Sequence, residues 1–479
     1  MPKKSLAKNS AFNVLYKGFT ALFPLLTTTY ISRTLLPEYV GLVSYAHVIV
    51  VYFSTMASLG IPNYGIKEIS GCGDNLNNRS QTFMELFSIN FISTTIWISI
   101  YYLLVNHLPY FYDKKPIMNT MGLLLVLNIF NVDWFYQGIE EYKIISIRGM
   151  VVKTLSFLAM LLFVKKTEDY LIYALILCFA TAGNYIYNIA HIHKFIQFGK
   201  YKLQIKHHLG AVVILLAASI VSEIYLALDT LMLEHYYGSA SVAYYTNATK
   251  VVRMVYTLVT AMIAPLYPRI AYYIQNGERK ESDALINKAY KIVLLLGIPA
   301  IAGLSVLADN IVRFLFGNGY SRSIGVLRIA SVLVLVFSVS YLLGHIILMA
   351  SGREKFIFRA TAISAAINAV LNFVLIPLLK ERGAIIASVM TELVVMSLLI
   401  YHGKDAYSIK HSKKFYCSIV ISSVIMVVSL VFIKQMMSTY TDFITICTCI
   451  FAGVFVYATS LLITKNELVQ EYLGKMKTL

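Results

Sequence analysis

The feature that most constrains this chain is a succession of long apolar runs, each close to the length of a bilayer crossing. A hydrocarbon core of about 30 Å takes roughly 20 helical residues to span. Such runs recur from residue 11 to residue 464, separated by short polar connections. Backbone amides in lipid must be satisfied within the segment, so runs of this kind fold as helices. The expected fold is all-α and polytopic, with 14 transmembrane helices arranged as two pseudo-symmetric six-helix lobes plus two C-terminal helices. Composition agrees, since 58% of the residues are hydrophobic and 14% are charged, against about 25% charged in an ordinary soluble domain. The basic segment 1–9 leads into a run long enough to span, which reads as a first helix and not as a cleaved signal peptide.

Net charge is +17. In a soluble protein that would raise nucleic acid as a partner; here the positive-inside rule accounts for it first. With the N-terminus inside, 24 Lys and Arg fall in inner segments and 9 in outer loops. Both termini are therefore expected in the cytoplasm, and no nucleic-acid partner is expected. The five cysteines, Cys72, Cys178, Cys417, Cys447 and Cys449, are scattered and suggest neither a disulfide framework nor a metal site.

Polar residues inside the runs carry the functional information. Asn13, Lys17, Thr20, Pro24 and Thr28 follow a 3.6-residue period and share one face of the first span. A second stripe, Thr246, Lys250, Arg253, Thr257 and Thr260, lies in the eighth. A cation at mid-membrane costs about 2.5–3.5 kcal/mol on insertion scales, so these faces should meet protein or water. Lys153 is similarly deep, whereas Lys291, Arg328, Arg359 and Lys434 lie near span ends and can snorkel. Glu223 is the central acid, positioned to pair with Lys250 or Arg253; Asp229 follows near an outer end. Two readings fit: a cationic cavity for an anionic substrate, or cations that only cross-brace helices. Asn128 and Asn131 share a face and either line such a cavity or brace it. His47 reads as a satisfied interior histidine rather than a proton switch, and Pro24, Pro265, Pro299 and Pro377 mark candidate kinks.

The chain also looks duplicated. At an offset of 202 residues Val40 meets Val242, Ala46 meets Ala248, Val50 meets Val252 and Lys67 meets Arg269. The organisation expected is a lobe at 1–208, a second at 209–403, and two extra helices with a tail at 404–479. Internal repeats flanking a substrate path are a common transporter plan.

Several motifs resemble one family. They are Tyr30-Ile31-Ser32-Arg33 followed by Leu36-Pro37-Glu38, Gly60-Ile61-Pro62-Asn63-Tyr64-Gly65, and Asp133-Trp134-Phe135-Tyr136-Gln137-Gly138. In the second half come Leu228-Asp229-Thr230-Leu231-Met232 and Ser351-Gly352-Arg353-Glu354-Lys355, then Asn368, Asn372, Pro377 and Gly383. Together they resemble the polysaccharide repeat-unit flippases, the Wzx-type branch of the multidrug/oligosaccharidyl-lipid/polysaccharide exporter superfamily. Leu36 departs from a glycine common in that family. The resemblance implies that spans 1, 2, 7 and 8 form much of a central cavity. It implies a substrate, undecaprenyl-pyrophosphate bearing an oligosaccharide, moved to the outer leaflet of a bacterial cell membrane. It also implies membrane lipid, a polysaccharide polymerase and chain-length machinery as partners, with no enzyme chemistry and no cofactor. The driving ion, H+ or Na+, stays open. Lys17, Lys250, Arg253, Lys153 and Asn13 are the expected substrate contacts, and Glu223 and Asp229 the coupling or structural acids. A membrane-embedded glycosyltransferase or polymerase is disfavoured by the short outer loops. A lipid-linked peptidoglycan precursor flippase and a small-solute antiporter are the competing transporters.

Overall fold

The computed structural model describes residues 19–20, 23–409 and 412–471; within one helix the side chains of 218, 221–222 and 224–226 are not described. Lys17 and Asn13 therefore lie outside the described residues. All regular structure among those that are described is helical. The chain divides into two compact units, one running to Glu234 and including Gly238–Ala243, the other comprising His235–Tyr237 and the chain from Tyr244 onward.

The first unit starts with α1 (23–34), then α2 (Pro37–Ser58), α3 (Ile61–Gly71) and α4 (Leu76–His107). It continues through α5 (Lys115–Leu127), α6 (Asp133–Gly138), α7 (Tyr142–Phe163), α8 (Tyr170–Ala190) and α9 (Ile205–Tyr237). Its inner core gathers around α6, where Trp134, Phe135 and Tyr136 are buried against Ile61, Ile69, Phe83 and Ile192. The aromatic motif is thus a packing device. It requires small residues opposite, which let backbones approach closely. A Cβ on Gly65 would sit 2.4 Å from the Trp134 ring, and one on Gly138 would sit 2.8 Å from Ile69.

The second unit holds α10 (Ser239–Ile263), whose first turn belongs to the first unit, and α11 (Tyr267–Gln275). It goes on through α12 (Arg279–Phe316), α13 (Arg322–Ala330), α14 (Leu333–Tyr341, continued by a π-helical turn to Leu348) and α15 (Glu354–Leu379). It ends with α16 (Glu381–Gly403), α17 (Lys413–Met436) and α18 (Asp442–Ile463). The last two pack on α12 through clusters around Phe415, Ile419 and Leu461, and around Leu307, Met426 and Leu430. Their outer faces leave Phe432, Phe451, Phe455 and Ile463 exposed, as a lipid-facing surface requires.

Eleven helical segments among the described residues are long and apolar enough to cross a membrane, which makes this a multi-pass membrane protein. They correspond to the second, third, fifth, sixth and eighth to fourteenth expected spans. The first expected span lies partly outside the described residues. The seventh falls in the 33-residue helix α9, of which several side chains are not described. The fourth, expected as one run at 117–136, is broken: α5 ends in a 3-10 turn at Asn128–Phe130, and Asn131 is extended before α6 begins.

Each unit also carries a long helix interrupted near a proline. Between α2 and α3 the chain turns through Leu59 and Gly60, with φ of 49° and 75°, ahead of Pro62. Between α10 and α11 a 3-10 turn at Ala264–Leu266 contains Pro265. Pro299 and Pro377 instead lie inside continuous helices.

The cations expected to snorkel are largely paired. Arg328 and Lys434 both reach Asp309, at 2.6 Å each, and Lys291 reaches Glu467 at 2.9 Å. Arg322 grips Glu381 through two hydrogen bonds of 2.7 and 2.8 Å, the bidentate geometry that favours Arg over Lys.

Candidate functional site

The two helix breaks of the first unit meet at a cavity of about 290 Å³ into which several polar side chains project. Helix α2 supplies Ser54, Thr55 and Ser58; the first break supplies Gly60, Pro62 and Asn63. The second break adds Asn128 and Asn131, α8 adds Thr181 and Tyr185, and α9 adds Ser219 and Glu223. A broken helix frees carbonyls that lipid cannot satisfy, so such a break must be covered by protein or face a watered cavity. Both solutions occur here. Asn90 donates from Nδ2 to the carbonyls of Asn128 (3.2 Å) and Ile129 (3.1 Å). Asn128 donates to Ser58 Oγ at 3.0 Å, and Asn131 donates to Asn128 Oδ1 at 3.2 Å. The two asparagines therefore brace the break and line the cavity at once. Close approach of α9 depends on Gly60, where a Cβ would lie 2.7 Å from Leu215 Cβ and 2.9 Å from two backbone atoms of α9.

Glu223 is the one charged residue among those lining this cavity. Its backbone carbonyl accepts from the Tyr52 hydroxyl at 3.1 Å. Among the described residues its carboxylate forms no ion pair within the first unit. A half-buried carboxylate without a fixed counter-charge needs water, a proton or a cation beside it. Ser54 Oγ, buried in the same wall, also lacks a hydrogen-bond partner.

Two buried polar chains on the same unit were not legible in the sequence. In one, Asn188 on α8 donates to Asp133 and accepts from Arg148, while its carbonyl accepts from Tyr136 Oη at 2.7 Å. The Arg148 guanidinium lies 4.8 Å from the ring centroids of both Tyr136 and Tyr187, a cation–π arrangement. In the other, His208 Nε2 is 2.9 Å from Glu85 Oε2, and His208 Nδ1 is 2.9 Å from Tyr64 Oη. Glu85 also accepts from Gln81 and the Gln204 amide. Each chain is held by links between residues 40 or more positions apart, so no local period announces it.

The other expected residues are distributed over both units. Lys153 on α7 is half-buried, 5.7 Å from the Phe23 ring centroid of α1, and does not line the cavity. Asp229 is buried on α9 at 5% exposure. Thr246, Lys250, Arg253, Thr257 and Thr260 all belong to the single helix α10, so the periodic stripe is real. Arg253 is exposed, Lys250 half-buried and Thr260 buried. Thr257 and Thr260 bond back to carbonyls one turn earlier, which leaves few polar groups on this face beyond the two cations. No group of three or more His, Cys, Asp or Glu among the described residues is arranged to hold a metal.

The fold is that of known membrane exporters. The inward closed conformation of the lipid II flippase MurJ superposes with a TM-score of 0.67 at 17% identity, covering 95% of this chain and 99% of that one. An inward-facing multidrug resistance MATE family transporter gives 0.64 at 14% identity, covering 80% and 93%. The polysaccharide biosynthesis protein family model matches residues 6–274, more than half of the chain, and this protein belongs to that family. A MatE model matches residues 215–374. Among sequence relatives, a protein of Escherichia coli (strain K12) named "Putative O-antigen transporter" is 24% identical over 414 residues, 83% of this chain and 96% of that one. The lipid II flippase MurJ of Bacillus subtilis (strain 168) is 30% identical over 142 residues, 29% of this chain and 26% of that one.

Proposed function

We propose that this protein is a flippase for an undecaprenyl-pyrophosphate-linked oligosaccharide, carrying the head group from the inner to the outer leaflet of a bacterial cell membrane by alternating access. The observation that carries the reading is the similarity to an O-antigen transporter over nearly the whole of that relative. The difficulty in such transport is the head group, since sugars and a pyrophosphate cannot cross hydrocarbon unsolvated. Lys250 and Arg253 of α10, with Lys17 and Asn13 from the first span and Lys153, would replace water around the pyrophosphate while the polyprenyl tail stays in lipid. Arg suits this role because its fork donates two parallel hydrogen bonds to a phosphate, and Lys adds a point charge. Fourteen spans in two related lobes, with both termini cytoplasmic, complete the proposed plan.

Glu223, in the cavity of the first unit, is the proposed coupling group, with Asp229 on the same helix in a structural role. A carboxylate that lacks a fixed counter-charge can take up and release a proton or cation, which gives the cavity a means of sensing the ion gradient.

A lipid-linked peptidoglycan precursor is the second candidate cargo, favoured by the fold match and by local similarity to lipid II flippases. The two separate in one experiment. Deleting the gene should cause a lipid-linked oligosaccharide repeat unit to accumulate on the inner leaflet while peptidoglycan precursors stay at normal levels. Accumulation of the peptidoglycan precursor would transfer the assignment to the second candidate, and accumulation of neither would refute both.

A further inference from the structure

The Ser351-Gly352-Arg353-Glu354-Lys355 motif has no part in the pathway described above, yet it shapes a second site. Ser351 and Arg353 line a cleft of about 300 Å³ in the second unit, together with Gly277 from the turn before α12, Arg279 at its start, Ser282 one turn on, and Asp405 after α16. We propose that this cleft binds a phosphate group.

Three observations converge on it. The first is how the two arginines are held. Arg279 Nη2 donates to the Asp405 carbonyl at 3.1 Å, and Arg353 Nη1 donates to the His402 carbonyl at 3.2 Å. Backbone carbonyls fix both guanidiniums, and among the described residues neither has an ion-pair partner. Arg313, Arg322 and Arg328 of the same unit all bond carboxylates. The cleft pair is held in place but not neutralised, and each fork keeps N–H groups free for a ligand.

The second observation is Ser282. It is 2% exposed, lines the cleft, and its hydroxyl has no hydrogen-bond partner. An unmet buried hydroxyl is costly, and a ligand oxygen in the cleft would satisfy it.

The third is rigidity. The segment after α16 is tied to the first turns of α12. Asn287 donates to the Ser408 carbonyl at 2.6 Å, and the Ser408 amide donates to Asp283 at 3.0 Å. Gly277 and Gly352 turn the chain at φ 74° and 66°, bringing the two arginine-bearing turns to one cleft. One carboxylate, Asp405, lines it, and that residue is exposed to water. The donors outnumber what a carboxylate needs, since one fork satisfies that group; two forks and a hydroxyl suit an anion with three or four acceptor oxygens.

The phosphate has two candidate carriers, an anionic phospholipid of the adjacent leaflet or a soluble phosphate compound. The proposal does not depend on the flippase reading. The test uses the full chain in lipid nanodiscs and two probes: phosphatidylglycerol retention by native mass spectrometry, and inorganic pyrophosphate binding in phosphatidylcholine discs. The cleft variant is Arg279→Gln with Arg353→Gln; the control is Lys355→Gln with Arg359→Gln, which removes the same charge outside the cleft. Wild type and control should bind at least one probe alike, and the cleft variant about tenfold more weakly. A response to phosphatidylglycerol alone names the lipid as carrier, and one to pyrophosphate alone names a soluble phosphate. Absence of binding, or equal loss in the cleft and control variants, overturns the site. Should the cleft variant not be recovered folded, the Arg279→Lys, Arg353→Lys pair keeps the charge and loses both forks. It should bind several-fold more weakly, and unchanged affinity there overturns the site equally.

Discussion

At the scale of single residues, Gly65 and Trp134 show how a sequence motif becomes packing. The Trp134 ring occupies the place of a Gly65 side chain, and α3 and α6 meet on that contact. Gly65→Val should therefore destabilise the first unit by about 1–3 kcal/mol, the usual cost of overpacking. Lower membrane abundance and a lower melting temperature would be the readout, and normal values for both would contradict the packing assignment. Glu223 is the contrasting residue, lining a cavity where a coupling role is proposed for it. Glu223→Gln should leave abundance near wild type and alter the pH dependence of transport. An unchanged transport profile across pH would remove Glu223 from the coupling role. The sequence marked Glu223 as the central acid, but not that Ser54, Asn128 and Tyr185 line the cavity with it. Periodicity ranks residues by face and depth; it does not say which helices surround that face. For the same reason Asn188 and His208 went unnoticed, because their partners lie far away in sequence.

At the scale of elements, most helices were legible because a bilayer-length apolar run has few other ways to fold. The fourth span was not, because its break depends on Asn90, Ser58 and Asn128 meeting from three different elements. The attachment of the last two helices is another case of tertiary chemistry. Glu467, beyond the end of α18, accepts a hydrogen bond from Ser412, just before α17, and pairs with Lys291 on α12 at 2.9 Å. The Ser412 hydroxyl and the Lys291 ammonium hold its carboxyl below the usual glutamate range. A lowered carboxyl value means the ionised form favours the folded state. The contribution is thus complete above the unfolded value of about 4.3 and disappears as pH falls through the lowered one. Purified Glu467→Gln should melt below wild type at pH 7, and the gap should close on acidification below about 4.3. A gap that is absent at pH 7, or that widens in acid, would contradict the clamp.

At the scale of the whole molecule, the proposed mechanism assigns substrate contacts to cations in each half of the chain. Lys250 and Arg253 lie on one face of α10; Lys17, which falls outside the described residues, belongs to the similar stripe expected from the sequence. A residue that only braces helices and one that holds substrate respond differently to neutralisation. Removing a brace strands a buried partner charge, costs about 3–5 kcal/mol, and lowers abundance. Removing a substrate contact lowers transport while the protein level holds. Arg253→Lys should keep part of the activity and Arg253→Gln little, because the first retains a point charge and loses only the fork. The most direct measurement is the rate of head-group translocation by Lys17→Gln, Lys250→Gln and Arg253→Gln, each normalised to membrane protein level. The account predicts a large loss of rate in all three at near-normal abundance; full activity in all three at normal abundance would contradict the cationic mechanism.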